Sequence, residues 1–264
     1  MGARGLLNFI MAYFKLNLQS AMEYRFNFII LAFGMFINDV AWIVFWWIIF
    51  AKFNTINGWN FGNLLAMYSI VTIGFGAATF FVGNWQRIAE NVIKGRLDYY
   101  MVLPKPLLIH MLISRSDFSG MGDLLFGIVV GTFAFLAGAV SSVPFFILLT
   151  AMSTLILISF GIIIGSLSFY FGGTGEFQET ALGSVIALST YPFSVFGGFI
   201  RIILLTAIPV GFITGIPVLL LQQYNAAYMG YMIVATLASV TVASIMFYAG
   251  LKRYESGNLI NAQI

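Results

Sequence analysis

Charged residues punctuate this chain only at intervals, and the long apolar runs between them set its architecture. A helix needs roughly 20 apolar residues to cross a bilayer core at about 1.5 Å per residue, so the uncharged runs bound the crossings. From Phe26 to Ala51 only Asn27, Asn38 and Asp39 interrupt the pattern, which predicts a first span over 26–51. Residues 53 to 86 carry no charge, but Asn54, Asn57, Gly58 and Asn60 cluster as a loop and leave 61–83 as the second span. The run from 124 to 175 is too long for one crossing. Ser141, Ser142 and Pro144 break it, predicting spans over 118–139 and 144–171. A turn containing Glu176 and Glu179 follows, then a fifth span over 181–199.

After Arg201 the next uncharged run, to Leu251, has room for two full spans or for a partial one plus one. Lys and Arg collect in cytoplasmic loops, which decides between them. Basic residues precede the first span (Arg4, Lys15, Arg25), lie between spans two and three (Arg87, Lys94, Arg96, Lys105, Arg115) and follow the last (Lys252, Arg253). If all three segments are cytoplasmic, Lys52 and Arg201 alone of the 12 basic residues lie elsewhere, which six spans satisfy and seven do not. The segment 201–222, with Pro209, Gly211, Gly215 and Pro217, is then expected to enter the membrane from outside and return, covered by protein or facing a water-filled cavity. The sixth span covers 224–250, and both termini are cytoplasmic.

Residues 1–25 read as an interfacial helix. Arg4, Asn8, Lys15 and Gln19 share one strip at 100° per residue, with Leu6, Phe9, Ile10, Tyr13 and Leu16 opposite. The apolar run from Phe26 begins too late and is too long for a signal-peptide core. Tyr254 to Ile264 reads as a short polar tail, and no internal repeat or low-complexity segment is evident. The fold class expected is an all-α polytopic membrane protein, 1–264 forming a single transmembrane domain.

Composition agrees. Of 264 residues 61% are apolar and 8% charged, against about 25% charged in a soluble domain. Net charge is +3, but the basic residues form no patch of the kind nucleic acid requires. With no cysteine, a disulfide framework, a thiolate nucleophile and a Cys zinc site are excluded. The one histidine, His110, has no metal-ligand partner at a suitable spacing and reads as an interfacial residue near lipid headgroups. No phosphate-binding Gly-x-x-x-x-Gly-Lys-Ser/Thr loop occurs, so any ATP would be bound by another chain. The residues thus point away from an enzyme.

The loop 84–115 carries most of the remaining information. Trp85, Ile88, Val92 and Ile93 recur at near-helical spacing, Arg87, Glu90, Asn91 and Lys94 take the other side, and Gly95 can close the helix. This predicts a short amphipathic helix whose apolar side rests on the bilayer edge or inserts into a groove of a soluble partner. Inside the spans, Asp39 is the one acidic residue near mid-membrane, a position that points to a cavity or a partner. Asp117 and Asp123 read as caps at the start of span three, and Trp46, Trp47, Trp59 and Tyr68 as an outer aromatic belt. The pairs Gly127/Gly131, Gly161/Gly165 and Gly211/Gly215 would let helices approach closely.

The run Glu90-Asn91-Val92-Ile93-Lys94-Gly95-Arg96-Leu97-Asp98 through Pro104-Lys105-Pro106 resembles the Glu-x-x-Ile-x-x-Gly-x-Leu-Asp element of type-2 ABC exporter permeases, in a bacterial six-span branch of uncharacterised substrate. Tyr191-Pro192, Gly198-Phe199-Ile200-Arg201, Ile208 to Ile213 and Pro217 resemble that branch's region between spans five and six, and Arg253 to Gly257 its C-terminal element. The resemblance implies that the helix after span two is a coupling helix docking a separate ATPase, with Arg87, Glu90, Lys94, Gly95 and Asp98 as its contacts. Glu176 and Glu179 offer a second cytoplasmic contact, and Asp39 a place on the substrate pathway. It further implies a dimer with a like or related permease, soluble ABC ATPase subunits carrying ATP and Mg, no cofactor on this chain, and a bacterial cytoplasmic membrane. A secondary transporter or channel using Asp39 is the other reading the residues leave open.

Overall fold

The computed structural model describes residues 3–23 and 25–254. The polar tail from residue 255 onward, and with it the end of the Arg253–Gly257 element, lies outside the described residues, as do Met1, Gly2 and Tyr24. Among the described residues the chain is helical without a β-strand. In order the helices are α1 Ala3–Glu23, α2 Arg25–Lys52, α3 Phe61–Val82, α4 Ile88–Ile93, α5 Leu97–Met101, α6 Leu107–Ile113, α7 Gly120–Leu136, α8 Val143–Ser166, α9 Gly175–Ser189, α10 Gly198–Thr206, α11 Ile216–Gln222 and α12 Ala226–Leu251.

Four helical segments are long and apolar enough to cross a membrane, namely α2, the stretch 61–93 that begins with α3, the stretch 143–169 that begins with α8, and α12. A fifth results if α10 and the segment 211–222, bent by 82°, count as one. The other two expected spans are shorter than about 20 residues. Helix α7 has 17 residues and ends in a Schellman cap: Gly138 takes φ +73°, its N–H donates to the Phe135 carbonyl, and the Ala139 N–H to that of Ala134. Helix α9 has 15, starting earlier and ending well before the expected 181–199 because Pro192 disfavours helix in the residue before it. Glu176 and Glu179, expected in a turn, therefore lie on its opening turns, where carboxylates suit the helix dipole.

Helix α3 is the buried axis, with α7 and α8 against it, α2 outside α7 and α12 outside α8. Glycine sets the α3–α7 distance. A Cβ added to Gly76 would lie 2.7 Å from the Gly120 carbonyl oxygen, and one on Gly120 2.7 Å from that of Gly76. Farther along α7, Gly127 and Gly131 meet Thr72, Ile73 and Ser69, and Ser69 Oγ donates to the Gly127 carbonyl at 2.7 Å. Because these contacts are to backbone, Gly76→Ala is expected to destabilise by about 1–3 kcal/mol through overpacking. A lowered melting midpoint in detergent, with α2 unaffected in hydrogen exchange, would check it.

Three of the four residues assigned to an aromatic belt sit in the core instead. Trp46, Trp59 and Tyr68 are buried, and Trp46 Nε1 donates to Tyr68 Oη at 3.0 Å. That bond satisfies the indole donor and allows the rings to leave the interface. Trp47 stays outside, with much of α2 and α12, whose outward faces are apolar as lipid requires.

Helix α1 lies along the 84–118 region with Phe9, Ile10, Tyr13 and Phe14 turned inward, Phe14 against Phe80, Phe81 and Phe118. Arg4, Asn8, Lys15 and Gln19 are exposed, as their strip predicts. Leu16 is exposed as well, while Asn17 turns in and donates to the Ile113 carbonyl (3.3 Å) and Ser116 Oγ (3.1 Å).

Candidate functional site

The amphipathic helix of the 84–115 loop uses its apolar side on its own bundle, neither on the bilayer edge nor in a partner. Trp85 and Ile88 occupy notches in α8 where Gly161 and Gly165 leave out a side chain: a Cβ at either position would come within 2.6 Å of them. Gln178 of α9 fixes the arrangement. Its buried amide donates to the Trp85 and Gly161 carbonyls, both at 3.1 Å, and accepts the Ala89 N–H at 2.9 Å. Asn84 adds bonds to the Met111 carbonyl (2.8 Å) and Ser114 Oγ (2.7 Å). Gly95 closes α4 at φ +65°, its N–H on Val92 and that of Arg96 on Asn91. Asn91 corrects its assignment to the polar side: it is buried, its Nδ2 donating to the Arg87 carbonyl at 2.9 Å.

What remains outward is charged. Glu90 receives Lys94 Nζ at 2.8 Å and Arg96 at 3.4 Å, and the Lys94 bond holds its carboxyl below the usual range. Arg87 lies 3.9 Å from Asp117, whose Oδ1 accepts the Ser119 N–H (3.2 Å) and hydroxyl (2.8 Å), so Asp117 holds the residue ahead of α7 and does not cap the helix itself. Asp98 stands apart on α5 beside Tyr254, whose hydroxyl is pushed up to about 12 by burial and by that negative charge. Glu176 and Glu179 line one cleft of about 540 Å³ with Arg87 and Glu90, so two of the expected coupling residues and the second acidic pair share a surface.

His110 is fully buried and has the partners that an interfacial residue would lack. Tyr13 Oη lies 2.7 Å from Nε2, the Tyr100 carbonyl 3.3 Å from Nδ1, and the rings of Phe9, Tyr99 and Tyr100 surround it. A carbonyl only accepts, so Nδ1 carries a proton; in the neutral imidazole that burial favours, Nε2 accepts from the tyrosine hydroxyl. Burial lowers its pKa below the ordinary 6.5. The unfolded or undocked state then takes up the proton first, so the docking contributed by His110 is complete above about pH 6.5 and is lost as pH falls through that value toward the lower folded pKa. The protection of α1 against hydrogen exchange, corrected for the intrinsic rate at each pH, is expected to fall between pH 7 and 5 and to lose that dependence in His110→Gln.

A second cavity, of about 320 Å³, lies between α2, α3, α7 and α9. Asp39 and Asp123 both line it, and Oδ2 of each is sealed from solvent without a donor. Asp123, expected to cap α7, makes no such bond: it lies in the first turn, is only 3% exposed and lines the same cavity as Asp39. Gly122 makes the α2–α7 approach possible, since a Cβ there would strike the Ala32 carbonyl. Trp42, Tyr68 and Tyr191 line the same space. Phe75, Gly183 and Ile186 belong to both cavities, so the cleft at the loop and the space at Asp39 adjoin across the Phe75 ring.

The family described as ABC-2 family transporter protein matches residues 13–257, nearly the whole of this bundle. The chain belongs to that family. It is therefore an ABC transporter permease, a multi-pass membrane subunit of a type that is typically non-catalytic. No curated protein and no solved structure matches it. In the ABC-2 permease three contributors had no local signature: Gln178, Asp123 and Tyr13 each act on residues more than 80 positions away. For Gln178 the available signal was a polar residue placed between two acidic ones at a helix start.

Proposed function

We propose that this permease is the membrane-spanning half of an ATP-driven exporter in a bacterial cytoplasmic membrane, paired with a second copy or a related permease and with soluble ABC ATPase subunits that carry ATP and Mg. The observation that carries this reading is the 84–115 loop, bolted to α8 and α9 by its apolar side and by Gln178 while Arg87, Glu90, Lys94 and Arg96 face outward. Such a surface suits a docking partner that pushes. Nucleotide on the partner must favour one state of the permease over the other, and the rigid loop is where that preference enters. Arg87, Glu90, Lys94, Gly95 and Asp98 form the contact, with Glu176 and Glu179 beside it; α1 lies on the inner leaflet, and the bent segment 201–222 caps the outer side as a re-entrant pair.

Purification of the tagged full-length chain from its native membrane in mild detergent tests this. A stoichiometric ATPase, reduced in Glu90→Ala and Asp98→Ala, is the expected result; a chain that purifies alone and folded would overturn it. The Asp39–Asp123 pair supports one other reading, a secondary transporter. Transport that survives ATP depletion but collapses with the proton gradient would decide for it.

A further inference from the structure

Among the described residues lining the cavity, none offers a counter-charge to the acidic pair on α2 and α7. Asp39 is 9% exposed and Asp123 3%, each keeps a sealed oxygen with no donor, and no Lys, Arg or His lines their cavity. Two buried carboxyl groups lining one cavity without a counter-charge need a proton or another cation beside them. The remaining walls favour an organic cation over a metal ion. Trp42, Tyr68, Phe75 and Tyr191 present rings, and the described residues hold no group of three or more acidic or histidine ligands. Aromatic faces attract a weakly hydrated ammonium, whereas a small metal ion would forfeit most of its oxygen ligands here. The adjoining cleft is lined by Glu176 and Glu179 along α9, facing Arg87 and a Glu90 already paired with Lys94 and Arg96, so its α9 wall carries the negative charge that would attract a cation.

We propose that the Asp39–Asp123 pair is a binding site for a lipophilic organic cation, its charge held by the two carboxylates and its apolar body by the surrounding rings. The site names the substrate class of the exporter and so rests on the permease reading above. The volume, about 320 Å³, fits a compact molecule with one aromatic ring. Phe75, shared by the cleft and the inner cavity, separates the approach from the site.

The test uses the full-length chain in mild detergent with its co-purifying proteins, and tritiated benzyltrimethylammonium as probe. Saturable binding is expected, with affinity at least about tenfold weaker in Asp39→Asn and in Asp123→Asn, and none for benzenesulfonate, an anion of similar shape. Because either variant could misfold, wild-type protein is also labelled with a carbodiimide that attacks membrane carboxyls; benzyltrimethylammonium should protect the peptides bearing Asp39 and Asp123. Absence of saturable binding, equal binding of the sulfonate, or binding that neither variant weakens and no protection, overturns the assignment. The two readings fail separately. An active ATPase partner without cation binding removes the site and leaves the exporter, while cation binding without any ATPase removes the ATP drive and leaves the site.

Discussion

Replacing Gln178 with leucine is expected to lower the melting midpoint of the permease and to cut transport-linked ATP hydrolysis by more than about tenfold. The side chain makes three buried bonds across α4, α8 and α9. Leucine fills the space but strands the Ala89 N–H and takes the side-chain donor from the Trp85 carbonyl, while the Gly161 carbonyl keeps its partner within α8. Buried polar groups left unsatisfied cost about 1–3 kcal/mol each, partly recovered by relaxation, so a loss of about 2–4 kcal/mol follows. Gln178→Glu separates the effects, since it keeps an acceptor for Ala89 but has no N–H for the two carbonyls. It should fall between wild type and leucine in both thermal scanning and ATPase assay; a leucine variant with wild-type melting and coupling would show that the loop needs no such tie.

Glu90→Lys is the complementary case, large in function and small in stability. Glu90 joins Lys94 and Arg96 on the outward face, where its bonds are partly solvated. Exposed ion pairs contribute about 0–1 kcal/mol, so melting should hardly move. The variant nevertheless sets Arg87, Lys94, Arg96 and a new lysine side by side, removing the acidic group that joins them and raising the positive charge of the surface offered to a partner. Like charges across an interface cost several kcal/mol, and loss of ATPase co-purification follows if this face is the dock. Compensation by an acidic substitution on the partner would identify the opposing residue. Retained co-purification and coupling would place the dock elsewhere.

What was legible in the sequence is what depends on runs and local spacing. The apolar stretches located α2, α3, α8 and α12, and Gly95 was placed as the end of α4 because a cap requires only the residues around it. The family resemblance rested on the same local runs. Asp39 was visible as a carboxyl inside a span, but its partner read as a cap, because nothing in the spacing of residues 39 and 123 places α2 against α7; Gly122 does so in three dimensions. Tyr68 and Trp46 suggested a membrane belt by their position near span ends, and only their mutual hydrogen bond explains why they are inside. Nothing near His110 in the sequence points to Tyr13, which reaches it from α1. Hydropathy continues past Ser189 and carries the fifth predicted span with it, while the backbone, ahead of Pro192, leaves the helix there.

Helix α9 makes the permease a short transmission. Gln178 pins one end to the loop, and Gly183, Ile186 and Ala187 farther along the same rod form a wall of the Asp39 cavity. From Gln178 to Ala187 is about 14 Å at 1.5 Å per residue, without a break in the helix. If a partner thrusts on the loop as proposed, no chain of rearranging side chains would be needed to reach the cavity: a tilt of one stiff strut, with Phe75 lining both chambers, would displace the wall in the same stroke.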